Sequence, residues 1–572
     1  MEINAGTKET IRKYAIKNAH DYGRANEGSV LNKTIALLPS LRSNIRELSI
    51  LVKEIVSEVN SLGASAIEEE FNKYREEFGA EEEERSKRTA KPKFELDGAV
   101  RGKFATRFPP EPNGYMQVGH AKVAWLERTF ADIYNGTLAL YFDDTNPDAE
   151  RQEFVDAFKK DLEWLGISFD LEYYASDNLP ELYRYAEKAI EAGKAYVCMC
   201  SKEEVKKNRA DGKACIHRSN STAENMELWR KMLGNEFGEN AAMLRFRGDM
   251  KSLNTVMRDP VLFRIKHHEH YRQGSKYAVW PTYNFNTPVI DSIKGITDAI
   301  RSKEYELRDE LYYDVLDAVG LRKPKIHSVA RLEIANNQTS KRKINALISQ
   351  HLIWGYDDPR LVTISALRRR GIRPEAIKEF VLRFGMSKVN SKVSIEMLLT
   401  ENRKIIDNST RRLFFVGNPV EMKIDGAKET HIKLKLHPTS SLGFREYDVK
   451  DTVYISGDDA KGLKSGEKIR LKDLCNIEIA EAGKRIVAKA INNAENYPKK
   501  IQWVIPGSIK AKLFVPHPPF DDEGEFDKKS MEAVEGYAED YAKDLNVGDV
   551  IQFERVGFFR LDNKEDMSFI GL

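Results

Sequence analysis

The sequence predicts an α/β domain held between a helical segment in front and β-rich domains behind. Three observations carry that prediction. Residues 98–345 alternate short apolar strands with helical patterns, the sign of strand–helix–strand units. Residues 1–80 and 346–410 keep their apolar residues at helical spacing. From residue 411 the chain breaks into short alternating stretches with turn signals, such as HIKLKLHP, GEKIRLKDL, KRIVAKAI, KKIQWVI and DVIQFERVGFFRLD, which read as barrel or sandwich strands. At 572 residues the chain exceeds one hydrophobic core, and about four domains are expected.

The first segment, 1–80, is clearest in SNIRELSILVKEIVSEVNSLG, where Ile45, Leu48, Val52, Ile55, Val59 and Leu62 share one helical face. Asn44 with Glu47 resembles a capping box, and Gly63 suits the helix end. EEEERSKRTAKPK has almost no apolar residue and places a charged linker over 81–97. Lys+Arg 91 against Asp+Glu 89 gives a net charge of +2, so a nucleic-acid surface has to be local. Four cysteines cannot staple a chain of this length, which points to a reducing cytoplasm. MEINAGTKET has no apolar signal core, and no run of about 18 apolar residues occurs, so secreted and membrane-spanning classes drop out.

The chemistry begins at residues 103–136. KFATRF reads as a strand, PPEPNG as a rigid turn with Gly114, and GHAKVAWLERTFADIYNG as a helix burying Val123, Leu126, Phe130 and Ile133. A tight turn ahead of a helix N-terminus is an anion site, because free N–H groups and the positive dipole end point into it. Gly119 lets a ligand approach the backbone, and His120 at the helix start can donate to a phosphate. Taken alone, the same residues also suit an ordinary strand–helix turn with a satisfied histidine.

The surrounding blocks decide between these. RFPPEPNGYMQVGHAK resembles the ATP-binding signature of class I aminoacyl-tRNA synthetases, in the version of the glutamyl/glutaminyl subfamily. YFDDTNP, DLEWLGISFD, MRDPVLFRI, WPTYNFNTPVIDSIKGITDAIRSKEY, TSKRKI and GYDDPRLVTISALRRRGIRPEAI follow in the family's order, and the match to the archaeal type of glutamyl-tRNA synthetase continues more weakly into the C-terminal strands. The resemblance implies a Rossmann-like class I synthetase catalytic domain over 98–345 with an acceptor-binding insertion at about 177–279. It also implies a helical tRNA-stem-contact domain over 346–410 and two β-barrel anticodon-binding domains over 411–572.

The same resemblance assigns residues. It sets Pro110, Glu111, Asn113, Gly114, Gly119 and His120 against ATP, with Ser340, Lys341 and Lys343 of QTSKRK as the second phosphate element. His120, Lys341 and Gln117 take the catalytic positions. Gln117 stands where the family signature has its first histidine, and a glutamine donates to a phosphate without carrying charge. Charge that builds on the triphosphate during attack favours a mobile cation, here Lys341. For the amino acid, the resemblance sets Asp143 on the ammonium, Arg107 near the carboxylates and Tyr283 in the pocket. Arg301 stands where glutaminyl enzymes carry a cysteine. A buried guanidinium pairs with a γ-carboxylate in a fork, and an amide would leave it unpaired. By itself Arg301 also suits a surface ion pair with Glu304.

The implied activity is ATP-dependent ligation of L-glutamate to tRNA-Glu through glutamyl-adenylate, with Mg2+ on the phosphates and no protein nucleophile. In this family activation typically waits for bound tRNA, archaeal relatives often also charge tRNA-Gln, and a monomer is expected. Cys198, Cys200, Cys215 and His217 form C-x-C…C-x-H, donors that suit structural Zn2+, although reduced cysteines lying close would give the same pattern. Cys475 stands alone and suits a buried position. Residues 341–385 carry ten Lys/Arg against four Asp/Glu, a strip suited to a phosphate backbone. Trp503, Lys499, Lys500 and Arg555 are candidates for reading the anticodon. A glutaminyl enzyme, which Arg301 opposes, and a non-catalytic RNA-binding scaffold, suggested by Gln117, are the competing readings.

Overall fold

Strand Ala105–Phe108 pairs in parallel with Thr137–Phe142, which pairs in parallel with Leu171–Tyr174. These strands lie in the second of two units, Met1–Lys91 and Pro92–Leu572, of a computed structural model that describes residues 5–38, 45–75, 77–78, 94–337, 340–483, 485–493 and 495–572. On the other side of Ala105–Phe108 runs Asp298–Ser302, itself parallel to Lys325–Val329. Thr297 ties the two groups, its amide donating to the Ala105 carbonyl at 2.9 Å and its hydroxyl accepting from the Ala105 amide at 2.8 Å. Parallel strands need cover on both faces, and helices Val118–Ile133 and Gln152–Leu165 supply part of it.

Helix Val118–Ile133 buries more than the predicted face. Leu126 and Phe130 are buried, but so are Val118, Ala121, Ala124 and Trp125, while Val123 is half-buried and Ile133 is exposed. The helix is packed on one side by the strands and on another by helix Pro374–Leu382, so a single stripe does not describe it. An antiparallel sheet of Ala195–Cys198, Met243–Phe246, Val261–Ile265 and Val279–Pro281 interrupts the parallel strands. It covers a core containing Trp229, Phe263 and Trp280.

The C-terminal strands form two curled sheets. One has seven strands, running from Arg411–Leu413 to Phe415–Gly417 through five strands of residues 509–571. Its two edges are separated in the chain by Phe414 alone, so the sheet has bent round on itself. The other has six strands within 420–501, and a bridge between Tyr454 and Val504 brings its ends together. A loop of the seven-stranded sheet reaches back toward the α/β domain. Phe520 packs with Ile344, Leu347 and Leu361, and its amide donates to the Asn336 carbonyl at 3.2 Å.

The first unit holds helices Ala5–Tyr22, Glu27–Leu37, Ile45–Asn60 and Ala64–Lys73. Leu48, Val52, Ile55 and Val59 are buried as the spacing predicts, joined by Val56, whereas Ile45 is exposed. Gly63 does not close its helix in a left-handed turn; with φ −73° it caps the next one, which starts at once. Asn44 and residues 79–93 of the charged run lie outside the described residues. No described helix is long and apolar enough to cross a membrane.

Two expectations for the C-terminal half need correction. Trp503 is 1% exposed, and its indole N–H donates to the Lys472 carbonyl at 2.9 Å. It stacks edge-to-face with Phe414, so it is core and offers no face to a base. The basic strip is thinner than its composition suggests. Arg360 is clamped by Asp358, Arg369 by Asp562 and Asp357, and Arg370 is buried against the carbonyls of Gly571 and Pro516. Arg555 pairs with Asp459 and Lys499 with Glu467, while Lys500 is exposed. Cys475 is half-buried beside the core of the six-stranded sheet. Trp503→Ala removes a fully buried ring and is expected to destabilise the C-terminal sheets by about 3–5 kcal/mol, read as a lowered urea midpoint.

Candidate active site

The turn of residues 109–117 is fixed from two sides. The Asp143 amide donates to the Pro110 carbonyl at 3.1 Å, and the Arg151 amide to the Pro112 carbonyl at 3.1 Å. On the far side the Val118 amide donates to Val362, and the Ile364 amide to Met116. The helix that follows therefore presents its first N–H groups at a set position. His120 is its third residue and opens to solvent, and its Nδ1 accepts from the Gln117 amide at 3.1 Å. A proton on Nδ1 would break that bond, so the ring proton of the neutral imidazole belongs on Nε2. Gly119 has only the Leu332 carbonyl near its missing Cβ, at 3.6 Å, which leaves the backbone face open. Beneath, the Lys122 ammonium is buried, donates to the Ala330 carbonyl at 2.8 Å, and is pushed down to about 8 by desolvation.

Lys341 reaches this turn. Its ammonium donates to the Asn113 carbonyl and lies 4.6 Å from the Phe154 ring centre. Ser340 caps the helix Lys341–Ser349 that carries it. Lys343 goes elsewhere: its ammonium donates to the Gly524 carbonyl at 3.3 Å, against the loop that holds Phe520. Glu111 is exposed at the rim beside half-buried Asn113 and Gly114.

Behind the turn, four elements meet on Arg107. It is 1% exposed, and Asp291 of helix Tyr283–Ile293 grips it through two bonds of 2.8 and 3.1 Å. Arg107 also donates to the Ile300 carbonyl at 3.0 Å, while the Tyr312 hydroxyl donates to Asp291 at 3.0 Å. Burial alone would lower the Arg107 pKa, but Asp291 outweighs it and holds the charge in place. Glu127 lies 4.0 Å from Arg107, its carboxyl oxygens have no hydrogen-bond partner among the described residues, and burial raises its pKa well above the ordinary carboxylate value.

Arg301 is also buried, 5% exposed, which sets aside the surface pair with Glu304; Glu304 instead pairs with Arg331. It donates to the Tyr283 hydroxyl at 3.2 Å and pairs with Asp309. Tyr305 stacks on Tyr283 with ring centres 4.6 Å apart. Asp143 accepts from Asn286 at 2.6 Å, and its pKa is pushed up to about 7 by desolvation and by the nearby charges of Glu111 and Asp144. Sequence reading missed Asp291, Asn286 and Asp309. The first two had a signal: with Thr287 they are buried polar residues on a helix whose Phe285, Val289 and Ile290 are core.

The turn of residues 109–117, the Lys341 that reaches it and the buried Arg107 and Arg301 all fall within one stretch that resembles known proteins. The family model for the catalytic domain of class I tRNA synthetases (E and Q) matches residues 103–408. This chain belongs to that family. Two models of the family's anti-codon binding domain match residues 410–493 and 500–562. A glutamate–tRNA ligase of Nitrosopumilus maritimus is 41% identical over 98% of this chain and 99% of its own, and one of Cenarchaeum symbiosum is 40% identical over 97% of each. A solved glutamate–tRNA synthetase of Elizabethkingia anophelis aligns over 54% of this chain and 72% of its own at 20% identity, with a TM-score of 0.40.

In the insertion, strand Ala195–Cys198 and the helical turn Ile216–Ser219 bring Cys198, Cys200, Cys215 and His217 together, with all four ligand atoms within 4.8 Å of one another. Cys198 and Cys215 sulfurs are 3.7 Å apart, and Cys200 sulfur is 3.5 Å from His217 Nδ1. Zinc with bonds of about 2.3 Å to sulfur and about 2.0 Å to nitrogen has tetrahedral edges of about 3.8 and 3.5 Å, so the cluster is compatible with that ion. Arg245, buried, donates to both Cys198 and Cys215 sulfurs at 3.7 and 3.9 Å, and Tyr196 lies 3.6 Å from Cys215.

Proposed function

We propose that this chain joins L-glutamate to the 3′ end of tRNA-Glu, working in the cytoplasm. The observation that supports this most is the buried Arg301 guanidinium beside Tyr283, in a chain whose relatives over nearly full length are glutamate–tRNA ligases. A cation withdrawn from water favours a ligand that brings a carboxylate and penalises a neutral amide.

The residues divide the work. Asp143 receives the glutamate ammonium, and Arg301 with Tyr283 receives the side-chain carboxylate. Arg107, already saturated by Asp291, contributes positive potential behind the pocket and does not bind directly. The α-carboxylate is thereby aimed at the ATP α-phosphate, which lies over the turn of residues 110–114 and the first N–H groups of helix Val118–Ile133. The carboxylate oxygen attacks phosphorus, pyrophosphate leaves, and the mixed anhydride remains. His120 and Gln117 donate to the phosphates, and Lys341 follows the charge that builds there. Mg2+ bound to ATP supplies further neutralisation of the phosphates. The terminal ribose hydroxyl of the tRNA then attacks the acyl carbon and AMP leaves. In the insertion, Cys198, Cys200, Cys215 and His217 hold a structural Zn2+ that pins the strand to the helical turn.

Aminoacylation with each amino acid and each tRNA tests the reading: glutamate is expected to charge tRNA-Glu, and the same assay reads whether tRNA-Gln accepts it. Absence of tRNA-dependent pyrophosphate exchange with glutamate would instead favour the scaffold reading. Arg301→Cys is expected to lower kcat/KM for glutamate by at least about 100-fold with KM for ATP within a few-fold, because one charged pair is lost from one substrate only. The elevated Asp143 pKa sets a pH dependence. Below about 7 its carboxyl is protonated and no longer pairs with ammonium, so kcat/KM for glutamate should fall about tenfold per unit as the pH drops, a profile that Asp143→Asn flattens. Metal analysis should find one zinc per chain and its loss in Cys200→Ser, with a lowered melting temperature.

A further inference from the structure

The two guanidinia behind the pocket are held in different ways. Arg107 and Asp291 are both sealed from water, and Tyr312 also bonds Asp291, so separating them would strand two charges. Arg301 is 5% exposed, but its partner Asp309 keeps 35% of its side-chain surface in solvent. Asp309 is also the first residue of helix Asp309–Val319, where free N–H groups and the positive dipole end favour a carboxylate. The Arg301 guanidinium is not fully used: its Nε is buried and has no hydrogen-bond partner among the described residues. Tyr283, held by its stacking on Tyr305, occupies one Nη, and the Tyr312 ring lies 5.1 Å from the guanidinium carbon.

Building on the glutamate reading above, we propose that Asp309 is a positioning residue that holds Arg301 until the side-chain carboxylate of the substrate takes its place. The exchange is between like groups. Arg301 passes from one carboxylate to another and never stands unpaired in the interior. Asp309, once released, still has water and the helix N-terminus. The substrate carboxylate can also engage the Nε that Asp309 leaves unused, forming the forked contact a guanidinium prefers. Asp309 thus competes with glutamate for Arg301 and sets the threshold for binding.

The test is Asp309→Asn, which keeps the shape and removes the charge, assayed by aminoacylation of tRNA-Glu at saturating ATP and tRNA. KM for glutamate is expected to fall about fivefold, while KM for ATP stays within twofold, the size of one partly exposed ion pair removed from competition. A glutamate KM that is unchanged or raised in the folded variant overturns the proposal. Should the amide not fold, Asp309→Ser, whose hydroxyl suits a helix start, carries the same expectation. Failure of the underlying reading is separable. An unsubstituted chain that charges glutamine and not glutamate defeats that reading, whereas one that charges glutamate with its KM insensitive to position 309 defeats only the exchange.

Discussion

A cation taken out of water must be paired, and the amino-acid end of the cleft is organised around that constraint. Arg107 is gripped by Asp291, capped by the Ile300 carbonyl and backed by Tyr312 through Asp291. One guanidinium therefore joins a strand, two helices and the neighbouring strand. Left alone it would cost several kcal/mol, and that penalty makes the four elements close together or not at all. Glu127 lies 4.0 Å from Arg107, and burial raises its pKa. Arg301, by contrast, has a partner at the edge of solvent.

The phosphate end follows a different logic. There the charges are exposed and the precision comes from backbone. Two amides from residues 143 and 151 and two strand-like bonds to residues 362–364 fix the turn, and the helix N-terminus supplies oriented N–H groups at no further entropic cost. Lys341 reaches this turn through the Asn113 carbonyl, a contact of a kind that a phosphate can replace. Its neighbour Lys343 serves the interface with the C-terminal sheet instead. Two lysines two positions apart face opposite ways because they sit at the start of a helix, where such spacing turns the side chains by about 200°.

Strand–turn–helix at 105–133 and the run of short strands after 411 were legible because periodicity and turn chemistry are local. The face of helix Val118–Ile133 was not, since a helix packed on several sides has no single stripe and Ile133 loses its place in the core. Tyr283 with Arg301 was legible from blocks shared with a family, and the structure brings the pair together at 3.2 Å. Asp291 escaped notice because its partner Arg107 lies far away in sequence, and Asp309, only eight residues from Arg301, because composition does not say which acid meets which base. Trp503 misled for a simple reason: a large aromatic in a strand is equally at home under a base or under a sheet. Arg360, Arg369 and Arg370 were counted as surface charge when their work is internal, holding the C-terminal strands to the helices.

The seven-stranded sheet has its last strand, Ser568–Gly571, near its middle, between Gly557–Asn563 and Ile509–Pro516, whereas strands 411–413 and 415–417 made long before it wait at the two margins. During synthesis those early strands wait for their partners in 531–538 and 550–553, while the six-stranded sheet within 420–501 is already complete. The sheet thus closes only once residues 568–571 are made, and a nascent chain stalled before them would expose two unpaired sheet edges, a handle for aggregation or for quality control.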